Sequence, residues 1–245
     1  MEATERLALC LLLAFLLVSA LSARFPGETL SVAGSTGVLP AAIGAERAMG
    51  TEGRHVHLIA GGSLFGLDLV RRGEVTLALS EVRPGEGLWS AKIGTVPVLV
   101  VAHPGTGVRN LSEAELRAVL VGGVTDWAQL GGRPLPLTLI FRTAPSGLRL
   151  SLTDLLLGRG AVMTARSVNA LSNGDVAQGI LHTPGTIGFL EGDRAPGGLE
   201  QMTVGGRRAG ERGYPLVLSV YVASRTPPDP KARRFIMLVG RYLRR

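Results

Sequence analysis

From residue 29 onward the chain alternates short β-like runs with helix-like runs, and this alternation restricts its fold more tightly than any other feature. "TLSVAGS" reads as a strand entering a Gly-Ser turn, and "VLPAAIGAERAMG" as a helix with Pro40 in its first turn and Gly50 closing it. "HVHLIAGG" is the next strand and "SLFGLDLVRRG" the next helix, with Ser63 expected at its N-cap and Gly73 at its end. "EVTLALSE" alternates as a strand. "IGTVPVLVVAHPG" is continuously apolar, as a strand buried on both faces should be. Ser112 and Glu115 form an S-x-x-E capping box opening "LSEAELRAVLVGG". "LPLTLIFR" leads through Pro145 into "SGLRLSLTDLLLG", where Leu148, Leu152, Leu155 and Leu156 predict one buried helical face. "SNGDVAQGILHTPGTIGFLE" gives a helix, a Pro-Gly turn and a strand; "YPLVLSVYVAS" and "PDPKARRFIMLVGRYLRR" close the chain as strand and helix. The pattern implies an α/β fold with largely parallel sheets.

Three of the joints repeat one constellation, an apolar strand, a Gly/Ser turn and a helix start: Gly34-Ser35-Thr36, Gly62-Ser63 and Pro145-Ser146-Gly147. A helix start presents unpaired backbone N–H groups and the positive end of the helix dipole, which together suit phosphate-like anions. Any one joint is more simply read as an ordinary helix cap, since Ser and Thr are the usual N-cap residues. Three of them, with Arg142 ending an apolar strand, point to an oxyanion site, because a guanidinium can hold an oxyanion through two parallel hydrogen bonds.

Other chemistries lack their residues. There is no G-x-x-x-x-G-K-[ST] loop and no G-x-S-x-G elbow, and His55, His57, His103 and His182 have no zinc spacing. No base–nucleophile pair supports an enzyme, and no cofactor or metal is implied. The formal net charge is +7, nearly all arginine, since Lys92 and Lys231 are the only lysines. The basic doublets are scattered and aromatics make up only 4% of residues, a poor match to the clustered charge and stacking surfaces of nucleic-acid binders.

The N-terminal stretch "LALCLLLAFLLVSAL" is shorter than the roughly 20 residues of a full span and is followed by small residues, as in an export signal. Residues 1–23 are therefore expected to be a signal peptide, or an uncleaved membrane anchor, with the rest of the chain outside the cytoplasm. Cys10, the only cysteine, lies in that run, so the remainder can form no internal disulfide.

"LSEAELRAVLVGGVTDWAQLGGRPLPLTLIFRTAPSGLR" closely resembles the middle of PstS-type phosphate-binding proteins, the substrate-binding components of phosphate ABC transporters. "AGSTGVLP", "GGSLFGLDLV", "VTLALSE" and "HTPGTIGFL" resemble further family landmarks in the family's order, over residues 29 to 224. The resemblance implies a type 2 periplasmic-binding-protein fold: two lobes, each a mixed, largely parallel sheet flanked by helices, closing on a ligand cleft. One lobe would comprise 24–97 plus 217–245 and the other 98–216. Carried over position by position, the ligand contacts would be Ser35, Thr36, Ser63, Ser80 or Glu81, Arg142, Ser146 and Gly147. The partners implied are inorganic phosphate and an ABC permease in the membrane, with the receptor acting as a monomer.

The chain departs from the family at two positions. Leu148 stands where threonine is usual, losing a hydroxyl donor that would contribute roughly 1.5–3 kcal/mol toward a charged ligand. Glu81 stands where members carry aspartate or serine; a carboxylate there can accept a proton from hydrogen phosphate and repel ionised sulfate. A receptor for another oxyanion or anionic metabolite, and an anchored sensor or scaffold with a decayed site, stand as alternatives.

Overall fold

The computed structural model describes residues 29–143, 146–192 and 194–243. The expected export segment over residues 1–23 and Pro145 of the third turn lie outside the described residues. Ten strands are described: β1 (Leu30–Gly34), β2 (Val56–Ala60), β3 (Leu77–Ser80), β4 (Trp89–Ala102), β5 (Asn110–Leu111), β6 (Thr138–Arg142), β7 (Ser167–Ala170), β8 (Thr186–Glu191), β9 (Glu200–Val204) and β10 (Val217–Ser224). The described α-helices are α1 (Leu39–Ala48), α2 (Ser63–Arg72), α3 (Glu113–Leu120), α4 (Gly147–Leu157), α5 (Asn173–His182) and α6 (Pro230–Tyr242).

Eight of the described strands follow the order β2-β1-β3-β10-β4-β8-β6-β7 in one curled path, and β9 pairs with β4 and β5 off it. It contains two parallel triplets, β2-β1-β3 and β8-β6-β7, joined through the antiparallel pair β10 and β4. β4 is the bridge. Its residues up to Pro97 pair with β10, whereas Val98–Ala102 pair with β8, so the strand changes partner at Pro97/Val98. A proline, which donates no ladder hydrogen bond, is well placed at such a change. The apolar run Val98–Ala102 is fully buried, as the sequence predicts, but the strand begins earlier, at half-exposed Trp89. Helix α6 returns to pack against α1.

Local chemistry accounts for most boundaries. Ser112 and Glu115 form the expected reciprocal capping box, and Ser172 and Asp175 form another at α5. Hydrogen bonds from the Ser112 backbone and side chain hold the Glu115 carboxyl below its usual range. Ser63 differs from expectation. Gly62 is the cap residue and Ser63 the first residue of the helix, which frees the Ser63 hydroxyl for a tertiary partner. On α4, Leu148, Leu152 and Leu156 are buried as predicted, but Leu155 lies at the edge of the apolar arc and is 43% exposed.

Trp127 anchors the "TDWAQLGG" motif to the Pro-Gly turn before β8. Its ring is fully buried and its Nε1–H donates to the Gly185 carbonyl at 2.9 Å. Trp127→Ala should therefore cost about 3–5 kcal/mol in chemical denaturation, and Trp127→Phe, which keeps most of the volume, about 1 kcal/mol for the lost hydrogen bond.

Candidate oxyanion site

The C-terminal ends of all six strands in the two parallel triplets deliver residues to one crevice, the position in which open α/β sheets bind ligands. β1 leads through Ser35-Thr36 into α1, β2 into Ser63 of α2, and β3 into Glu81. From the other triplet, β6 ends on Arg142 ahead of Ser146 and α4, β7 leads to Asn173 of α5, and β8 ends on Glu191. Right-handed β-α crossovers from parallel strands place helix N-termini on this one side.

Glu81 is the centre of one half. Its carboxylate accepts hydrogen bonds from the hydroxyls of Ser35 and Ser63, the latter at 2.5 Å, and its backbone N–H donates to Ser63 Oγ at 3.1 Å. Ser35 Oγ also accepts from the backbone N–H of Gly37 at 3.1 Å, so it serves the helix start and the carboxylate together. Ser35, Ser63 and Glu81 are all buried. Burial pushes the Glu81 carboxyl above its usual range, while the two serine hydroxyls and, more weakly, the Arg142 charge pull it down.

Arg142 is the centre of the other half. Although charged, it is only 4% exposed, and its Nη1 donates to Thr36 Oγ1 at 2.9 Å and to Asn173 Oδ1 at 3.1 Å. Its Nε has no partner and is sealed from solvent. Arg149 supports it from α4: Nη1 donates to the Arg142 carbonyl at 2.8 Å, and the guanidinium lies 5.3 Å from the Phe141 ring centroid.

The two halves touch at Gly147, the first residue of α4. A methyl group there would overlap Ser63 Oγ and Glu81 Oε2. Ser151 Oγ, one turn later, donates to the Glu81 carbonyl at 2.8 Å. Ser146 caps α4, its hydroxyl accepting from the Arg149 N–H at 3.5 Å.

Of the sequence-derived candidates, Ser35, Thr36, Ser63, Glu81, Arg142, Ser146 and Gly147 therefore surround one crevice. Ser80 does not join them, because its hydroxyl is tied to the backbone of Val82 in both directions. Leu148 is fully buried in the core beside Leu152, so the side chain at this position is committed to packing. Asn173 and Glu191 were not singled out by sequence reasoning. Both carried a signal: "LSNGD" repeats the strand–turn–helix joint, and Glu191 ends an apolar strand as Arg142 does. Glu191 is pushed up to about 7, first by burial and then by the Glu81 charge, against a hydrogen bond from Asn173 and the Arg142 charge. Among the described residues, no cluster of three or more His, Cys, Asp or Glu side chains could hold a metal ion.

A curled mixed sheet with helix N-termini and a buried arginine converging on one crevice defines a solute-binding class of protein, with an anion as the suited solute. The chain belongs to the PBP superfamily, whose domain model matches residues 22–239. It is 28% identical over 171 residues to the phosphate-binding protein PstS of Bacillus subtilis (strain 168); that match takes in 66% of this chain and 56% of the relative's length. A substrate-binding protein of Clostridium perfringens solved with bound phosphate shares the fold, with a TM-score of 0.75 at 18% identity over 86% of this chain and 92% of that one. An ABC-type phosphate transport receptor of Vibrio cholerae superposes with a TM-score of 0.70 at 19% identity, over 86% of this chain and 93% of that chain.

Proposed function

We propose that this protein is an extracytoplasmic, non-enzymatic receptor that captures inorganic phosphate in the crevice and hands it to an ABC permease. The observation that carries this reading is Arg142. A permanently charged guanidinium that is 4% exposed and leaves Nε unpartnered lacks a full set of acceptors within the protein, and a bound oxyanion would complete it. Ser35, Thr36, Ser63, Ser146 and Gly147 supply hydroxyls and helix N-termini around the same crevice, with Glu81 as a carboxylate acceptor for a hydrogen bond from a protonated ligand oxygen. The kinship with a phosphate-binding protein and the fold shared with an ABC-type phosphate transport receptor support phosphate as the ligand and an ABC transporter as the partner.

The division expected from the sequence, lobes of 24–97 plus 217–245 and 98–216, is supported by the partner change in β4 at Pro97/Val98. Closure of one lobe on the other, acting within a monomer, would shut the crevice. Among the described residues no helix is long and apolar enough to cross a membrane, and the apolar run at residues 7–21 serves export or anchoring.

Titration of the chain from residue 24 onward with phosphate and sulfate, followed by calorimetry, tests the reading. Saturable phosphate binding with sulfate at least about a hundredfold weaker is expected, because the buried carboxylate of Glu81 accepts a hydrogen bond from protonated phosphate and repels fully ionised sulfate. No heat with phosphate from a ligand-stripped preparation would overturn it. A receptor for a different protonated oxyanion is the second reading, favoured by the presence of two carboxyls, Glu81 and Glu191, around one arginine. Its signature is tighter binding of another such anion than of phosphate.

A further inference from the structure

Glu191 occupies a place in the crevice that the phosphate-receptor reading leaves unused. It stands at the end of β8, and a Cβ built on Gly37 would lie 2.5 Å from its carboxyl carbon, so the carboxyl lies directly against the start of the Ser35-Thr36-Gly37 turn. Asn173 links it to the arginine: Asn173 Oδ1 accepts from Arg142, and its side chain hydrogen-bonds Glu191. A relay therefore runs from Thr36 through Arg142 and Asn173 to Glu191. The far end of that relay is incomplete, since Glu191 Oε2 is sealed from solvent and has no partner.

An ionised carboxylate with one oxygen dry and unpaired is strongly disfavoured, whereas a carboxylic acid can place its proton on that oxygen and offer it as a donor. The surrounding charges act in the same direction. Arg142 is a single cation already facing Glu81, so two ionised glutamates outnumber it before any ligand enters. An entering oxyanion adds further negative charge to the same low-dielectric crevice.

We propose that Glu191 is carried into the bound state of the oxyanion site as the neutral acid, so that capture of the anion is accompanied by uptake of one proton from solvent. This rests on the oxyanion reading of the crevice. The proton goes to a Glu191 carboxylate oxygen and comes from water or buffer. A route exists: the half-buried Glu191 lines a cavity of about 690 Å³, shared with Gly37, Pro97, Glu211, Tyr214 and Tyr242. Of the groups there, Tyr214 is held neutral, its hydroxyl donating to the Val98 carbonyl at 2.6 Å and its phenol pushed up by burial. The charged and titratable groups facing Glu191 are thus Glu81 and Arg142 within the crevice, and Glu211, Tyr214 and Tyr242 across the cavity.

The sign follows from the raised position near 7. Below that pH the acid form is already present and binding needs no proton; above it, each bound anion must bring one in. Phosphate titrates in the same range, so the comparison is with Glu191→Gln, which copies the neutral acid and cannot ionise. Phosphate affinities of wild type and variant, measured by calorimetry at pH 6 and pH 8, should agree within about threefold at pH 6, and the variant should bind about tenfold tighter at pH 8. Wild type titrated at pH 8 in buffers of different ionisation enthalpy should take up about one proton more per phosphate than the variant.

A wild-type-to-variant ratio that is the same at both pH values overturns the proposal while leaving the phosphate receptor intact. Zero proton uptake by wild type at pH 8 overturns it without reference to the variant, should Glu191→Gln fold poorly. If wild type binds no phosphate at either pH, the oxyanion reading fails and the role of Glu191 falls with it.

Discussion

Arg142→Ala is expected to weaken phosphate binding by roughly thirtyfold to several thousandfold while the protein stays folded. Truncating one member of a buried, hydrogen-bonded charge pair costs about 2–5 kcal/mol of binding. Arg142 is the group that both reaches across to Thr36 and retains an unpaired nitrogen, so no neighbour replaces it. The fold survives because the guanidinium contributes polar contacts at a strand end, not apolar packing. Glu81 and Glu191, relieved of their cation, respond by holding protons more tightly. Arg142→Lys keeps the charge but loses the planar fork, and should recover only part of the affinity. Calorimetric phosphate titration beside a thermal unfolding curve checks the pair; wild-type affinity in the alanine variant would refute the site.

Gly147→Ala should eliminate measurable phosphate binding, a loss of at least about a hundredfold, without lowering thermal stability. The added methyl would overlap Ser63 Oγ and Glu81 Oε2 and come within 2.8 Å of Ser63 Cβ. Ser63 is fully buried, so it cannot swing aside, and the two halves of the crevice are held apart. Gly147 is the first residue of α4, where alanine is no worse a helix former than glycine, so the protein with its two halves apart should be unchanged in stability. Scattering in saturating phosphate should show the variant remaining expanded where wild type compacts. A compact, phosphate-binding Gly147→Ala protein would rule out this contact as a closing surface.

The fold was legible from residue 29 onward because its signals are local. Capping boxes, Pro-Gly turns and continuous apolar runs each depend on residues a few positions apart, and they located the helices and most strands. Three strands were missed, each with a weak local signal: β5 has two residues, β7 carries exposed Val168 and Asn169, and β9 buries only Met202 and Val204. Their apolar signal is too weak without the neighbours that pair with them. Nothing local marks Trp89 as a strand start; it is the first residue of β4, whose early half is stabilised by β10, more than a hundred residues away in sequence.

The site divides in the same manner. Strand-end position and Gly/Ser turns marked Ser35, Thr36, Ser63, Arg142, Ser146 and Gly147, because a helix start after a parallel strand advertises itself within a handful of residues. They left Ser80 and Glu81 undecided. Only the tertiary structure separates them, since Ser80 closes on Val82 while Glu81 reaches serines 46 and 18 positions away. Nor could Leu148 be weighed from the sequence, where it reads as a missing hydroxyl; its burial against Leu152 shows a position used for packing. By itself the sequence determined the α/β alternation and the anion-seeking helix starts, both products of short-range chemistry. The tertiary structure decided which charges share the crevice: one arginine facing two glutamates, Glu81 and Glu191, 110 positions apart in the chain. Their mutual repulsion and desolvation exist only once the chain has brought them together, and it is these forces that set the protonation of the site.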